Sequence, residues 1–271
     1  MADLITVDDL QSRLNERDLV LLDIRYTPGK SDGKARYLAG HIPGAFYVDL
    51  ATELADAGIQ GEGGNPLPTR HQLQQTLQRL GIKSHSEVVV YDDTNLGPSA
   101  RAWWVLRWAG LERVVILDGG FKAWQRAGGA ISVDEDEPLT PSDLQIEVGA
   151  LRQMSANDVL LIATTGTLVD VRPAQNFLID NDGNGGHIPG ALNLPAAQLI
   201  DEHGQLLAPD VLHALFRGAG IDVASPITAY CGSGVASALF VFASHRVGLN
   251  ALLYPGSWSH WVSDDSRPIQ G

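Results

Sequence analysis

The chain repeats itself. His41-Ile42-Pro43-Gly44-Ala45 recurs as His187-Ile188-Pro189-Gly190-Ala191. Ahead of these blocks, Leu21-Leu22-Asp23-Ile24-Arg25 is answered by Leu168-Val169-Asp170-Val171-Arg172. Behind them, Leu117-Asp118-Gly119-Gly120-Phe121-Lys122-Ala123-Trp124 is answered by Tyr254-Pro255-Gly256-Ser257-Trp258-Ser259-His260-Trp261. Three blocks in one order, half a chain apart, mean two copies of one domain, because solenoid repeats are only about 20–50 residues long. A length of 271 residues lets each copy bury its own core. Ser132 to Ser142 is acidic, holds two prolines and lacks apolar periodicity, so it reads as the join. The expected organisation is a first domain over 1–131, a linker over 132–144 and a second domain over 145–271.

Within each copy short β-branched runs alternate with helical patterns. Leu19–Ile24, Val88–Tyr91 and Val114–Leu117 read as buried strands in the first copy, with Leu168–Val171, Ile227–Tyr230 and Ala251–Tyr254 in the second. Thr69–Leu80 places Leu73, Leu77 and Leu80 at helical spacing. Helices are also expected over Ala100–Ala109 and Val235–Val247. Such alternation predicts an α/β fold, each domain a mostly parallel sheet flanked by helices, with ligands at the carboxyl ends of the strands.

Apolar residues make up 44% of the chain and charged residues 19%, the balance of a globular protein rather than a disordered one. The net charge of −13 argues against nucleic acid as a partner, and no apolar run approaches the roughly 18 residues needed to span a membrane. The start, Met1 to Asp9, is acidic and lacks the pattern of a secretory signal. One cysteine cannot form an internal disulfide, which points to a reducing compartment, the cytoplasm.

That cysteine, Cys231, stands where the strand Ile227–Tyr230 meets Gly232-Ser233-Gly234-Val235-Ala236-Ser237. A strand end, a glycine-rich loop and a helix N-terminus gather backbone N–H groups around one sulfur and favour negative charge there. Gly232 and Gly234 allow close backbone approach, while Ser233 and Ser237 add hydroxyls. The alternative is a small buried hydrophobe, the common fate of a lone cysteine. Aligning Tyr91 with Tyr230 puts Asp92 where Cys231 stands, so a carboxylate would fill the first copy's amide nest. The first domain is therefore expected to be non-catalytic, a scaffold and one wall of a cleft. His41 and His187 occur in both copies, beside Pro-Gly turns, and fit loop-bonding imidazoles. Trp124 and Trp261 fit core positions, whereas Trp258 belongs to a loop expected beside the strand ends. No CxxC, HExxH or phosphate loop implies a metal or organic cofactor; the expectation is none.

With its tandem DxR…HIPGA halves and Cys231-Gly232-Ser233-Gly234-Val235 in the second half alone, the chain resembles the rhodanese sulfurtransferases over nearly its whole length. The loop is similar to that of the 3-mercaptopyruvate branch; thiosulfate-preferring members carry basic residues after the cysteine, and Gly232 and Ser233 are neutral. The resemblance implies that Cys231 takes a sulfur from a small anionic donor as a persulfide and passes it to a thiol, a thioredoxin-like protein or cyanide. It implies substrate-side roles for Gly232 through Ser237; Arg172, Asn176 and, from its loop beside the strand ends, Trp258 are the further candidate substrate contacts. The family's clamping arginine four positions after Arg172 is here Asn176, and a second, before the HIPG block, has no counterpart in Asn181–Gly186. A common threonine in the loop is Ala236, and a first-domain histidine before Pro-Leu-Pro is Asn65.

Two other readings stand beside an enzyme. A persulfide carrier without efficient turnover would account for the absent arginines. A cysteine phosphatase would need an arginine six positions after Cys231, where Ser237 stands.

Overall fold

The computed structural model describes residues 3–56, 58–135, 140–179 and 185–271. The chain forms two compact units, one of Met1–Asp56, Leu67–Leu151 and Glu202–Gln205, the other of Ala57–Pro66, Arg152–Asp201 and Leu206–Gly271.

In the first unit the strands are β1 (Leu4–Ile5), β2 (Leu19–Asp23), β3 (Ala45–Tyr47), β4 (Glu87–Tyr91) and β5 (Val114–Leu117), in sheet order β1-β5-β4-β2-β3. In the second they are β6 (Thr167–Asp170), β7 (Leu192–Asn193), β8 (Ile227–Tyr230) and β9 (Ala251–Leu253), in order β7-β6-β8-β9. Every pairing between these strands is parallel. The physical reason is in the residues: β4 and β5 are valine-rich and buried throughout, as strands covered on both faces must be. The α/β class expected from the alternating pattern is the observed one.

Helices begin where local caps demand. Thr69 caps Arg70–Arg79 in a capping box with Gln72, and that helix buries Leu73 and Leu77. The helices Gly97–Trp108 and Ala236–Arg246 follow β4 and β8 and are buried on nearly all sides. The pattern reading missed β1 and the helix Val7–Arg13 capped by Thr6, as well as Ala156–Thr165 and Pro209–Gly218. The first two are too short for periodicity to register, and their order comes from pairing β1 with β5.

Register aligns the carboxyl ends of both sheets in the same way. Asp23 lies opposite Tyr91 and Asp170 opposite Tyr230, so each DxR block closes its strand beside the residue that follows the tyrosine. Tyr91 Oη accepts from Ile42 N at 3.2 Å and Tyr230 Oη from Ile188 N at 3.0 Å, tying each HIPGA block to its sheet. Trp124 and Trp261 are buried in the respective cores. The stretch expected to join the halves is packed at its far end: Ser142 N donates to Gln78 O at 2.9 Å, and Leu144 and Ile146 are buried. Residues 136–139 of that stretch lie outside the described residues.

Candidate active site

β8 ends at Tyr230, and Cys231 follows at 3% exposure. Its Sγ accepts from Gly234 N at 3.1 Å and from Ser237 Oγ at 3.4 Å, with Ser257 Oγ at 4.0 Å. Gly234 has φ +79°, a conformation glycine reaches at no steric cost, and this turn brings its amide back over the sulfur. Ser237 is fully buried in the first turn of Ala236–Arg246. Among the described contacts Gly234 and Ser237 are the loop residues that reach Sγ. Gly232 is exposed, Ser233 and Ala236 are half-buried, and Val235 is buried at the head of the helix.

The backbone of Cys231 is held from behind by the Tyr254–Trp261 block. Trp258 N donates to Cys231 O at 2.9 Å and Ser259 N to Gly232 O at 2.9 Å. Cys231 N donates to Ser257 Oγ at 3.1 Å, and that hydroxyl donates to Tyr254 O at 2.9 Å. A hydroxyl has one proton, so the shorter bond to Tyr254 O takes it. Ser257 is fully buried with φ +53°, a left-handed conformation unfavourable to any residue with a Cβ. The sequence repeat puts Gly120 at the same place in the first unit, with φ +56°. Where cysteine stands, serine has replaced glycine and supplies an acceptor for the cysteine's own amide. Ser257 escaped the sequence reading, although the Gly120/Ser257 mismatch inside the repeat was its signal.

The nominated substrate contacts fare differently. Arg172 is committed: Nε lies 3.0 Å from both Asp170 carboxylate oxygens, and Nη2 donates to Asp170 Oδ2 at 2.6 Å and to Gly186 O at 2.6 Å. Its guanidinium also lies over the Trp258 ring at 4.2 Å, a cation–π contact that joins the DxR block to the residue behind Cys231. Asn176 is exposed on the short helix Ala174–Phe177, where no described contact links its side chain to the cysteine loop. Residues 181–184, part of the arginine-free stretch before the second HIPGA block, lie outside the described residues.

A segment numbered in the first half completes the surroundings. Residues 58–66 belong by contact to the second unit. Gly64 N donates to Ser259 Oγ at 2.8 Å, and buried Asn65 donates through Nδ2 to Ser233 O at 3.3 Å.

The first unit has the same architecture with a different occupant. Asp92 is 1% exposed; its Oδ1 accepts from Thr94 N at 2.7 Å, Thr94 Oγ1 at 2.8 Å and Asn95 N at 3.2 Å. Its Oδ2 accepts from Ser99 N at 3.1 Å and Ser99 Oγ at 2.6 Å. Phe121 N donates to Asp92 O at 2.8 Å, as Trp258 N does to Cys231 O. A fixed carboxylate thus fills the anion nest in one copy, and the other copy offers it to a sulfur. The two histidines make loop contacts: His41 Nδ1 is 2.9 Å from Tyr37 O and His187 Nδ1 is 2.9 Å from Phe177 O, each ring stacked on that same residue's ring.

Duplicated parallel α/β units, one following its strand β8 with a thiol under amide and hydroxyl donors, define a cysteine-centred class of protein. The Rhodanese-like domain family matches residues 6–127 and again 147–264, and the chain belongs to that family. SseB of Mycobacterium tuberculosis, provisionally named a thiosulfate sulfurtransferase, is 42% identical over 98% of this chain and 96% of its own length. The 3-mercaptopyruvate sulfurtransferase of Escherichia coli K12 is 34% identical over 98% of this chain and 97% of its own. The crystal structure of SseA from Escherichia coli, described as a 3-mercaptopyruvate sulfotransferase of rhodanese fold, superposes with a TM-score of 0.86 at 33% identity. That superposition covers 96% of this chain and 100% of SseA.

Proposed function

We propose that the protein is a sulfurtransferase in which Cys231 carries the sulfur as a persulfide, the second unit doing the chemistry and the first serving as scaffold. The observation that carries this reading is the pair of donors on Sγ, Gly234 N and Ser237 Oγ, at a position where the sister unit spends the same nest on Asp92. In the first half-reaction the Cys231 thiolate attacks the sulfur of 3-mercaptopyruvate. The C–S bond breaks, its electron pair leaves as the keto acid's enolate, and that carbon takes up the proton of the donor thiol. Pyruvate departs and the outer sulfur stays on Cys231 as an anion. With thiosulfate the S–S bond breaks instead and sulfite leaves.

In the second half-reaction an acceptor thiolate, free or on a thioredoxin-like protein, or a cyanide ion attacks the outer sulfur. The new sulfur bond forms as the persulfide bond breaks, and the electron pair returns to Cys231. The loop's contribution is electrostatic: donors already aimed at a sulfur stabilise the anion without reorganising. The neutral side chains of Gly232 and Ser233, with Arg172 committed to Asp170, favour the singly charged carboxylate of 3-mercaptopyruvate over the thiosulfate dianion. No described helix is long and apolar enough to cross a membrane. The reducing cytoplasm is the compartment that suits a single working thiol.

Incubating the protein with each donor and measuring intact mass tests the assignment. Addition of one sulfur atom to wild type and none to Cys231→Ser is expected, with kcat/KM higher for 3-mercaptopyruvate than for thiosulfate. No sulfur uptake from either donor refutes it.

A further inference from the structure

We infer that Asn65 is a positioning residue for the Cys231 sulfur, acting through a single peptide group. The inference rests on Cys231 being the sulfur carrier. Asn65 Nδ2 donates to the carbonyl of Ser233 at 3.3 Å, and the N–H at the other end of that peptide is the Gly234 amide, which donates to Sγ at 3.1 Å. A trans peptide is planar, with C=O and N–H pointing in opposite directions. Pinning the carbonyl therefore aims the amide. The pin has something to oppose: with glycine following at φ +79°, rotation of this peptide meets little steric resistance. A donor on the carbonyl also polarises the peptide and strengthens its N–H, by about 10–30% in condensed-phase estimates.

The segment carrying Asn65 is built to hold it there. Asn65 is 3% exposed and precedes Pro66, which restricts it to extended backbone. Gly64 N donates to Ser259 Oγ at 2.8 Å, and a Cβ on Gly64 would come within 3.0 Å of Ser233 Cβ. A Cβ on Gly63, at φ +100°, would come within 2.5 Å of Gly256 O. The two glycines thus let the segment lie against the cysteine loop and the Tyr254–Trp261 block, and Asn65 is the polar side chain delivered to the loop's carbonyl. As an amide it does not titrate, so the donor it provides is present at every working pH.

The test uses the full-length protein and the variants Asn65→Ala, Asn65→Asp and Asn65→His. Three readouts are taken: the iodoacetamide alkylation rate of Cys231, the melting temperature, and kcat and KM for the donor that loads the wild type. Loss of one such hydrogen bond predicts that Asn65→Ala lowers kcat and the alkylation rate about three- to tenfold with KM changed less than about twofold. Asn65→Asp, which turns an acceptor toward the carbonyl, falls at least as far. Asn65→His, able to donate from its ring, recovers at least half of the lost rate and adds an ionisation to the pH profile. Wild-type kcat and alkylation in Asn65→Ala and Asn65→Asp overturn the inference, and so do equal losses in all three variants that track melting temperature. If the wild type itself takes up no sulfur, the assignment of function fails instead, and the alkylation rates still decide the role of Asn65.

Discussion

Ser257 offers a test in which stability and activity should separate. Its φ of +53° imposes a left-handed backbone on a residue with a Cβ, which costs about 1–2 kcal/mol. In return its hydroxyl takes the amide of Cys231 at 3.1 Å and donates to Tyr254 O at 2.9 Å. Ser257→Ala keeps the strain and loses both bonds; orphaning the buried Cys231 N–H alone costs about 1–3 kcal/mol. Ser257→Gly loses the same bonds but releases the strain, so the glycine variant should be more stable than the alanine variant by about 1–2 kcal/mol. That reverses the ordinary order for a helical position, where glycine is about 1 kcal/mol worse than alanine. Denaturant unfolding measures the difference, and sulfur transfer by the same preparations should fall to a similar extent in both variants. An alanine variant as stable as the glycine variant would show that the backbone is unstrained. Wild-type transfer rates in both would show that the hydroxyl does not place Cys231.

Asp92→Ala removes the acceptor of five hydrogen bonds. It should destabilise the first unit by at least about 2–4 kcal/mol in unfolding measurements, while the folded fraction still takes up sulfur on Cys231 at the wild-type rate; slowed uptake would assign Asp92 to the chemistry. Arg172→Gln strands fully buried Asp170 and should cost about 3–5 kcal/mol by the same measurement, the scale for breaking a buried ion pair; a loss below about 1 kcal/mol would contradict the contacts described. His260 is held below the ordinary histidine pKa by burial first and by Arg267 second, against the opposing pull of Glu62 and Asp264. Arg267 Nη2 lies 3.4 Å from His260 Nε2, so that nitrogen is the acceptor and Nδ1–H donates to Tyr254 Oη at 2.9 Å. With the folded pKa below the unfolded one, the unfolded chain binds the proton first. Stability is then full above about pH 7 and falls as pH drops through the unfolded value near 6.5. His260→Gln should remove that part of the slope below about pH 7, and an unchanged slope would refute the reasoning.

Much of this architecture was written in local pattern. The repeated DxR, HIPGA and closing blocks announced two copies, and valine-rich runs between amphipathic stretches required buried parallel strands. A cysteine after such a strand and before Gly-x-Gly had to sit at the carboxyl end of the sheet, where the structure has it. Even the contrast between Asp92 and Cys231 could be read by laying one copy over the other. These features were legible because strand, turn and helix preferences act over a few neighbouring residues.

What the sequence could not reveal depends on groups brought together from far along the chain. Arg172 looked available for a substrate, yet folding spends its guanidinium on Asp170, Gly186 and Trp258. Asn65 looked like a departure in another domain, yet it reaches Ser233 from 168 positions away. Ser257 looked like a loop residue until its strained backbone placed a hydroxyl under the amide of Cys231. Hydrogen bonds are satisfied by whichever partner the packed chain presents within about 3 Å, and composition, spacing and periodicity carry no record of that choice.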